Sequence, residues 1–140
     1  VSEVERDQLD ADVLIVGGGP AGLACALRLA QLKAQPGSKL ADATIVLLEK
    51  GSYVGAHAIS GAILDPRAFR ELMGDFLAEG CPVEAPVGAD DLYFLSKQGR
   101  FRFPILPPML RNHGNYIASL NKVVKWMAAK VEAAGIDVFP

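Results

Sequence analysis

The spacing of apolar and polar positions changes several times along the chain, and each change marks a predicted element. Ala11 to Val16 (ADVLIV) is a short apolar run rich in β-branched residues that stops at three glycines. Such runs read as strands buried on both faces, as in parallel sheets. Pro20 to Leu32 is rich in alanine and leucine, with polar residues at Arg28 and Gln31, which predicts a helix packed closely on a sheet. Pro36, Gly37 and Ser38 interrupt the pattern and make residues 33–43 a loop. Thr44 to Glu49 (TIVLLE) then reads as a second buried strand, completing one βαβ unit.

Gly51 to Gly61 has no periodicity and reads as an ordered loop. Asp65-Pro66 predicts a helix with Asp65 as N-cap and proline in its first position, fading at Gly74 or Gly80. Leu92 to Leu95 and Phe101 to Phe103 flank Ser96-Lys97-Gln98-Gly99, a hairpin pattern, and Pro104 to Leu110 is too proline-rich to be regular. From Ser119, apolar residues at Leu120, Val123, Val124, Met127 and Val131 recur at helical spacing, with Gly135 as the stop. Trp126 and this stripe fit core packing. Ile136 to Phe139 is a further strand with no partner after it, so the chain reads as cut, its parallel-type strands leaving exposed edges. The expected fold is α/β: a partial Rossmann-like nucleotide-binding domain over residues 11–140, a polar tail at 1–10 and a hairpin at about 92–103.

Composition narrows the function. The 140 residues are 51% hydrophobic and 21% charged, which is globular and not disordered. A formal net charge of −2 without a basic patch gives no reason to expect nucleic acid as a partner. Glu3, Glu5, Asp7 and Asp10 against Arg6 are the wrong chemistry for a signal or transit peptide, although one could already have been removed before Val1. No apolar run approaches the roughly 20 residues of a spanning helix, so membrane contact would be peripheral or monotopic. Cys25 and Cys81 form neither a CxxC pair nor a disulfide framework. That fits a reducing compartment, with Cys25 read as a small core residue.

The candidate chemistry begins at the glycines. Gly17, Gly19 and Gly22 make G-x-G-x-x-G, a weak signal alone. Here it follows a predicted strand, opens a predicted helix and is answered by a carboxylate at the end of the next strand. Gly17 permits the sharp turn, Gly19 lets a pyrophosphate approach bare backbone, and Gly22 lets the helix lie against the strand. The first helical turn, at Pro20 and Ala21, offers unpaired N–H groups and a partial positive charge to a diphosphate. Glu49 stands further past Gly22 than the usual interval of about 20 residues, the 33–43 loop accounting for the excess. Its carboxylate can accept from both ribose hydroxyls of an adenosine, each bond contributing roughly 1.5–3 kcal/mol, and would repel a 2′-phosphate. FAD and NAD remain equally compatible with this pattern, and glycines serving packing alone are the competing reading.

The segments after this unit carry a resemblance. Glu49-Lys50, the string Gly55-Ala56-His57-Ala58-Ile59-Ser60-Gly61-Ala62, and Leu64-Asp65-Pro66 are similar to a flavin-contacting segment of the electron-transfer flavoprotein–ubiquinone oxidoreductases. Pro104-Ile105-Leu106-Pro107, the run Asn112-His113-Gly114-Asn115-Tyr116, and the closing helix with Gly135 to Pro140 resemble the same family. Related geranylgeranyl reductases share the glycine turn but not the GAHxxSGAxLDP and NHGNY strings. The resemblance covers about residues 11 to 140.

It implies that the domain is the N-terminal FAD-binding portion of an enzyme passing electrons from reduced electron-transfer flavoprotein, through an iron–sulfur cluster and FAD, to ubiquinone. Gly17, Gly19, Pro20, Ala21, Gly22 and Glu49 would hold the adenosine and pyrophosphate. Lys50 would belong to the same site, with Gly55, Ala56, Ser60 and Gly61 near the ribityl chain or isoalloxazine. A 4Fe-4S cluster takes four thiolates, so its ligands would lie outside this chain, and no residue here is assigned as catalytic or metal-ligating. His57 and His113 read as hydrogen-bonding scaffold. The family's membrane-associated, non-spanning character implies a bacterial or mitochondrial inner-membrane location. The hairpin and its sequel, Leu92 to Met109, would form a bilayer-facing surface, an ordinary packed hairpin being the alternative. Two other readings of the whole chain stay open: a related FAD-dependent reductase or hydroxylase, and a nucleotide-binding module without redox chemistry.

Overall fold

A computed structural model describes residues 8–140. Most of the polar tail expected at 1–10 therefore lies outside the described residues. β1 (Val13–Val16), α1 (Pro20–Lys33) and β2 (Ile45–Leu48) form the βαβ unit within a residue or two of its expected bounds. The remaining elements follow in order: β3 (Gly61–Leu64), α2 (Arg67–Met73), β4 (Val83–Pro86), β5 (Tyr93–Ser96) and β6 (Gly99–Arg102). A 3-10 turn at Pro108–Leu110, β7 (Tyr116–Ser119), α3 (Leu120–Ala133) and β8 (Asp137–Phe139) complete the chain.

The described residues fall into two compact units, one running up to Ala58 and resuming at Val124–Pro140, the other spanning Ile59–Val123. The first holds a parallel sheet in the order β1-β2-β8, with Leu14 opposite Val46 and Leu47 opposite Val138. α1 packs on β1 and β2. Leu23, Ala26 and Leu27 from α1 are buried, as are Ile15, Ile45 and Leu47 of the strands. Lys33, in the last turn of α1, donates from Nζ to the Ala43 carbonyl at 2.7 Å and so ties the 33–43 loop back to the helix.

The central strand β2 is buried on both faces as expected, Ile45, Val46 and Leu47 being 4%, 2% and 0% exposed, whereas the edge strands are not: Leu14 is 55% exposed, Val16 80% and Phe139 44%. Cys25 also departs from expectation. It is exposed, since it lies on the solvent side of α1 away from Leu23, Ala26 and Leu27.

The second unit contains an antiparallel sheet, β3-β7-β4, that the apolar pattern did not predict. The loop expected at 51–61 ends where Gly61 pairs with Ser119, and Tyr116 to Ser119 forms the central strand before the helix. Each strand is only four residues long and half-exposed, so none stands out as an apolar run. The core is aromatic: Phe76 is 2% exposed and meets Tyr116 edge-on at 5.8 Å and Phe69 at 5.6 Å. Helix α2 starts at Arg67 with Pro66, not Asp65, at the N-cap position and no side-chain cap there; Asp65, one residue earlier, accepts the Arg67 N–H at 3.0 Å. Gly74 ends it. The hairpin β5-β6 pairs Tyr93 with Arg102 and Ser96 with Gly99, and all eight of its strand residues are exposed.

Candidate functional site

The glycine turn lies in the first unit, where the parallel ladder continues past the strand ends. Gly17 N–H donates to the Leu48 carbonyl, and Glu49 N–H to the Phe139 carbonyl, both at 2.7 Å. The sheet itself therefore fixes the turn and the carboxylate side by side. Gly17 has φ +108°, a backbone conformation open to glycine and strained for any other residue, and it reverses the chain into α1.

The other two motif glycines have different surroundings. A Cβ on Gly22 would lie 2.0 Å from the Gly17 carbonyl oxygen, so the helix approaches its own turn as closely as glycine allows. A Cβ on Gly19 would meet nothing within 4 Å. The backbone there faces open space, which is the cradle a diphosphate requires. Gly19 is the N-cap of α1 and makes no side-chain cap; Pro20 occupies the first turn with Ala21, and no acidic residue shares that turn. The positive end of the helix thus remains available to an anion.

Glu49 is the electrostatic centre. Its Oε2 accepts the Gly18 N–H and its Oε1 accepts the Gly51 N–H, both at 2.7 Å. His57 Nδ1 stands 3.8 Å from Oε1, with the imidazole 70% exposed and the Glu49 side chain 13%. The Gly51 bond and then the Gly18 bond hold the carboxyl below its ordinary value against the smaller opposing effect of burial, and the nearby histidine and the Lys50 N–H lower it by less. At neutral pH it is an anion with a lone pair left on each oxygen, suited to accept hydroxyl donors and hostile to a further phosphate.

Lys50 is exposed beside it. Gly55 is buried, and Ala56 packs close to Gly51, where an added Cβ would stand 3.0 Å from that of Ala56. The structure thus brings Gly17, Gly19, Pro20, Ala21, Gly22, Glu49, Lys50, Gly55 and Ala56 into one unit. Ser60 and Gly61 belong to the other unit, where Gly61 opens β3. Two residues were missed by motif spacing: Gly18 and Gly51, whose N–H groups hold the carboxylate. Gly18 fills a variable position of the pattern, and Gly51 stands two residues past the acid. A glycine at each was the available signal.

No group of three or more His, Cys, Asp or Glu residues is arranged to hold a metal ion among the described residues. No helix among them is long and apolar enough to cross a membrane.

Residues 15–74 match the family of NAD(P)-binding Rossmann-like domains. Over 98% of its length the chain is 46% identical to the mitochondrial electron transfer flavoprotein-ubiquinone oxidoreductase of Mus musculus, of which it spans 22%. It is 41% identical to the enzyme of that name from Pseudomonas aeruginosa, again over 98% of the chain and 25% of the relative. The flavin-dependent monooxygenase PieE, solved with FAD and substrate, superposes with a TM-score of 0.60 at 22% identity over 92% of this chain and 23% of that one, a likeness of fold. The chain spans about a fifth to a quarter of the length of the curated relatives it matches, and over nearly all of its own length it is similar to electron-transfer flavoprotein–ubiquinone oxidoreductases.

Proposed function

We propose that this chain is the FAD-binding portion of an oxidoreductase that passes electrons from reduced electron-transfer flavoprotein to ubiquinone. The observation that carries the proposal is the 46% identity sustained over 98% of the chain to relatives of that name. The site chemistry supports it from below. The Gly17–Gly22 turn and the first turn of α1 receive the pyrophosphate, and Glu49 accepts from the adenosine ribose. Gly55, Ala56, Ser60 and Gly61 are small residues that let backbone N–H groups approach the rest of the cofactor, with Lys50 beside the ribose. FAD supplies the redox chemistry when bound. The chain's own part is to hold it, to exclude a 2′-phosphorylated nucleotide through the Glu49 charge, and to keep the anionic diphosphate on a neutral, uncapped helix start.

The 4Fe-4S cluster of the complete enzyme takes its four thiolates from outside this chain, which has two cysteines. Membrane association belongs to the hairpin region. Phe94 is 63% exposed, Ile105 76% and Met109 83%, among Arg100, Arg102 and Arg111, an apolar surface with basic residues able to snorkel. The location that follows is the surface of an inner membrane, mitochondrial or bacterial.

The full-length protein provides the test. Flavin released on denaturation should be FAD, reduced electron-transfer flavoprotein should bleach it, and ubiquinone should restore it. Protein that carries no flavin, or that is reduced by NADPH and ignores the flavoprotein, would remove the proposal.

A further inference from the structure

The two bonds to Glu49 have a consequence for the diphosphate. A carboxylate whose sole task is the ribose would present both oxygens outward. Glu49 instead spends one lone pair of Oε2 on the N–H of Gly18, inside the phosphate turn, and one of Oε1 on the N–H of Gly51. Val54, 9% exposed, closes the same corner, since a Cβ on Gly18 would lie 3.2 Å from Val54 Cγ2 and 3.0 Å from Glu49 Oε2. Gly18 is buried while Gly19, the next residue, is open. The turn is therefore anchored on its inner side and bare on the side a ligand would use.

We infer that Glu49 is also a positioning residue for the pyrophosphate: it fastens the phosphate turn through Gly18, and so couples the ribose and diphosphate subsites. This rests on the FAD reading above and deepens it. An anchored turn holds its bare backbone in place before the ligand arrives, and less conformational freedom is lost on binding. His57, beside Oε1, stands at this adenosine end of the site.

Glutamine at position 49 separates the two tasks. Its amide has one acceptor oxygen, so its NH2 group would face either the Gly18 or the Gly51 N–H donor to donor. The probe is 2′,3′-dideoxy-ADP, which has the diphosphate but lacks the ribose hydroxyls. If Glu49 served the ribose alone, Glu49→Gln would bind this probe as well as wild type or better, since a nearby negative charge is gone. An anchored turn predicts the opposite sign, an affinity about fivefold or more weaker in the variant. Both would be measured by calorimetry on flavin-free full-length protein.

A second measurement needs no variant. Amide hydrogen exchange on the flavin-free wild type should show Gly18 and Gly51 protected. Fast exchange at Gly18, or undiminished dideoxy-ADP affinity in Glu49→Gln while wild type still takes up FAD, would overturn the inference and leave the FAD reading standing. Wild type that takes up no FAD would instead remove the reading beneath it.

Discussion

Gly19 and Gly22 look alike in the sequence pattern and have opposite vulnerabilities in the structure. Gly22→Ala drives a methyl group towards the Gly17 carbonyl, a backbone atom 2.0 Å away that no rotamer change can move aside. Overpacking of this kind costs about 1–3 kcal/mol, so denaturant unfolding of the variant should shift to lower midpoint with the flavin removed. Glu49 adds a pH dependence. Its carboxyl is held below its ordinary value, chiefly by the Gly51 and Gly18 N–H groups. A depressed carboxylate contributes stability that is present above the ordinary value and is lost as pH falls through the lowered one. The stability difference between wild type and Glu49→Gln should therefore be present at pH 7 and shrink in acid towards that lower value. A difference that stays constant down to pH 3 would contradict the hydrogen-bonded anion.

At the scale of elements, the NHGNY string acquires a physical role as a clasp. Asp90 accepts the Asn112 backbone N–H at 2.7 Å and its side-chain Nδ2 at 2.9 Å, while Val87 N–H donates to the Asn115 carbonyl at 2.9 Å. Together they close the base of the excursion that carries β5 and β6. The Asn112 side chain, then its backbone N–H, lowers the Asp90 carboxyl below its usual value, so this clasp too weakens as pH falls through that lowered value. Asp90→Ala should speed proteolytic cleavage within 91–111 in the full-length protein without changing its FAD content. Equal cleavage rates would mean the excursion holds itself. The sequence marked NHGNY as a family signature, and nothing in its spacing disclosed a partner 22 residues upstream.

What was legible at the scale of the whole molecule follows from run length and burial. β1, α1 and β2 were readable because Leu14 to Val16 and Ile45 to Leu48 are unbroken apolar runs beside a glycine turn. The β3-β7-β4 sheet was not, because Gly61-Ala62-Ile63-Leu64 begins with glycine and alternates exposed with half-buried positions, and β4 ends at Pro86. The carboxylate was legible as a ribose acceptor, whereas its bonds to Gly18 and Gly51 depend on a tertiary approach that no spacing rule contains. The apolar hairpin region was legible as well, and its exposure sets a prediction for the intact protein. Phe101→Asp together with Ile105→Asp, at positions 58% and 76% exposed, should leave folding intact and release the full-length protein from anionic vesicles in flotation. Unchanged flotation would assign membrane contact to another part of the protein.

The most direct measurement is the flavin content of the full-length Gly19→Val protein. A side chain at this position enters open space, so it disturbs whatever occupies that space and little of the fold. The variant should purify with wild-type circular dichroism and without FAD. A full complement of FAD in the folded variant would contradict a diphosphate seated on the start of α1.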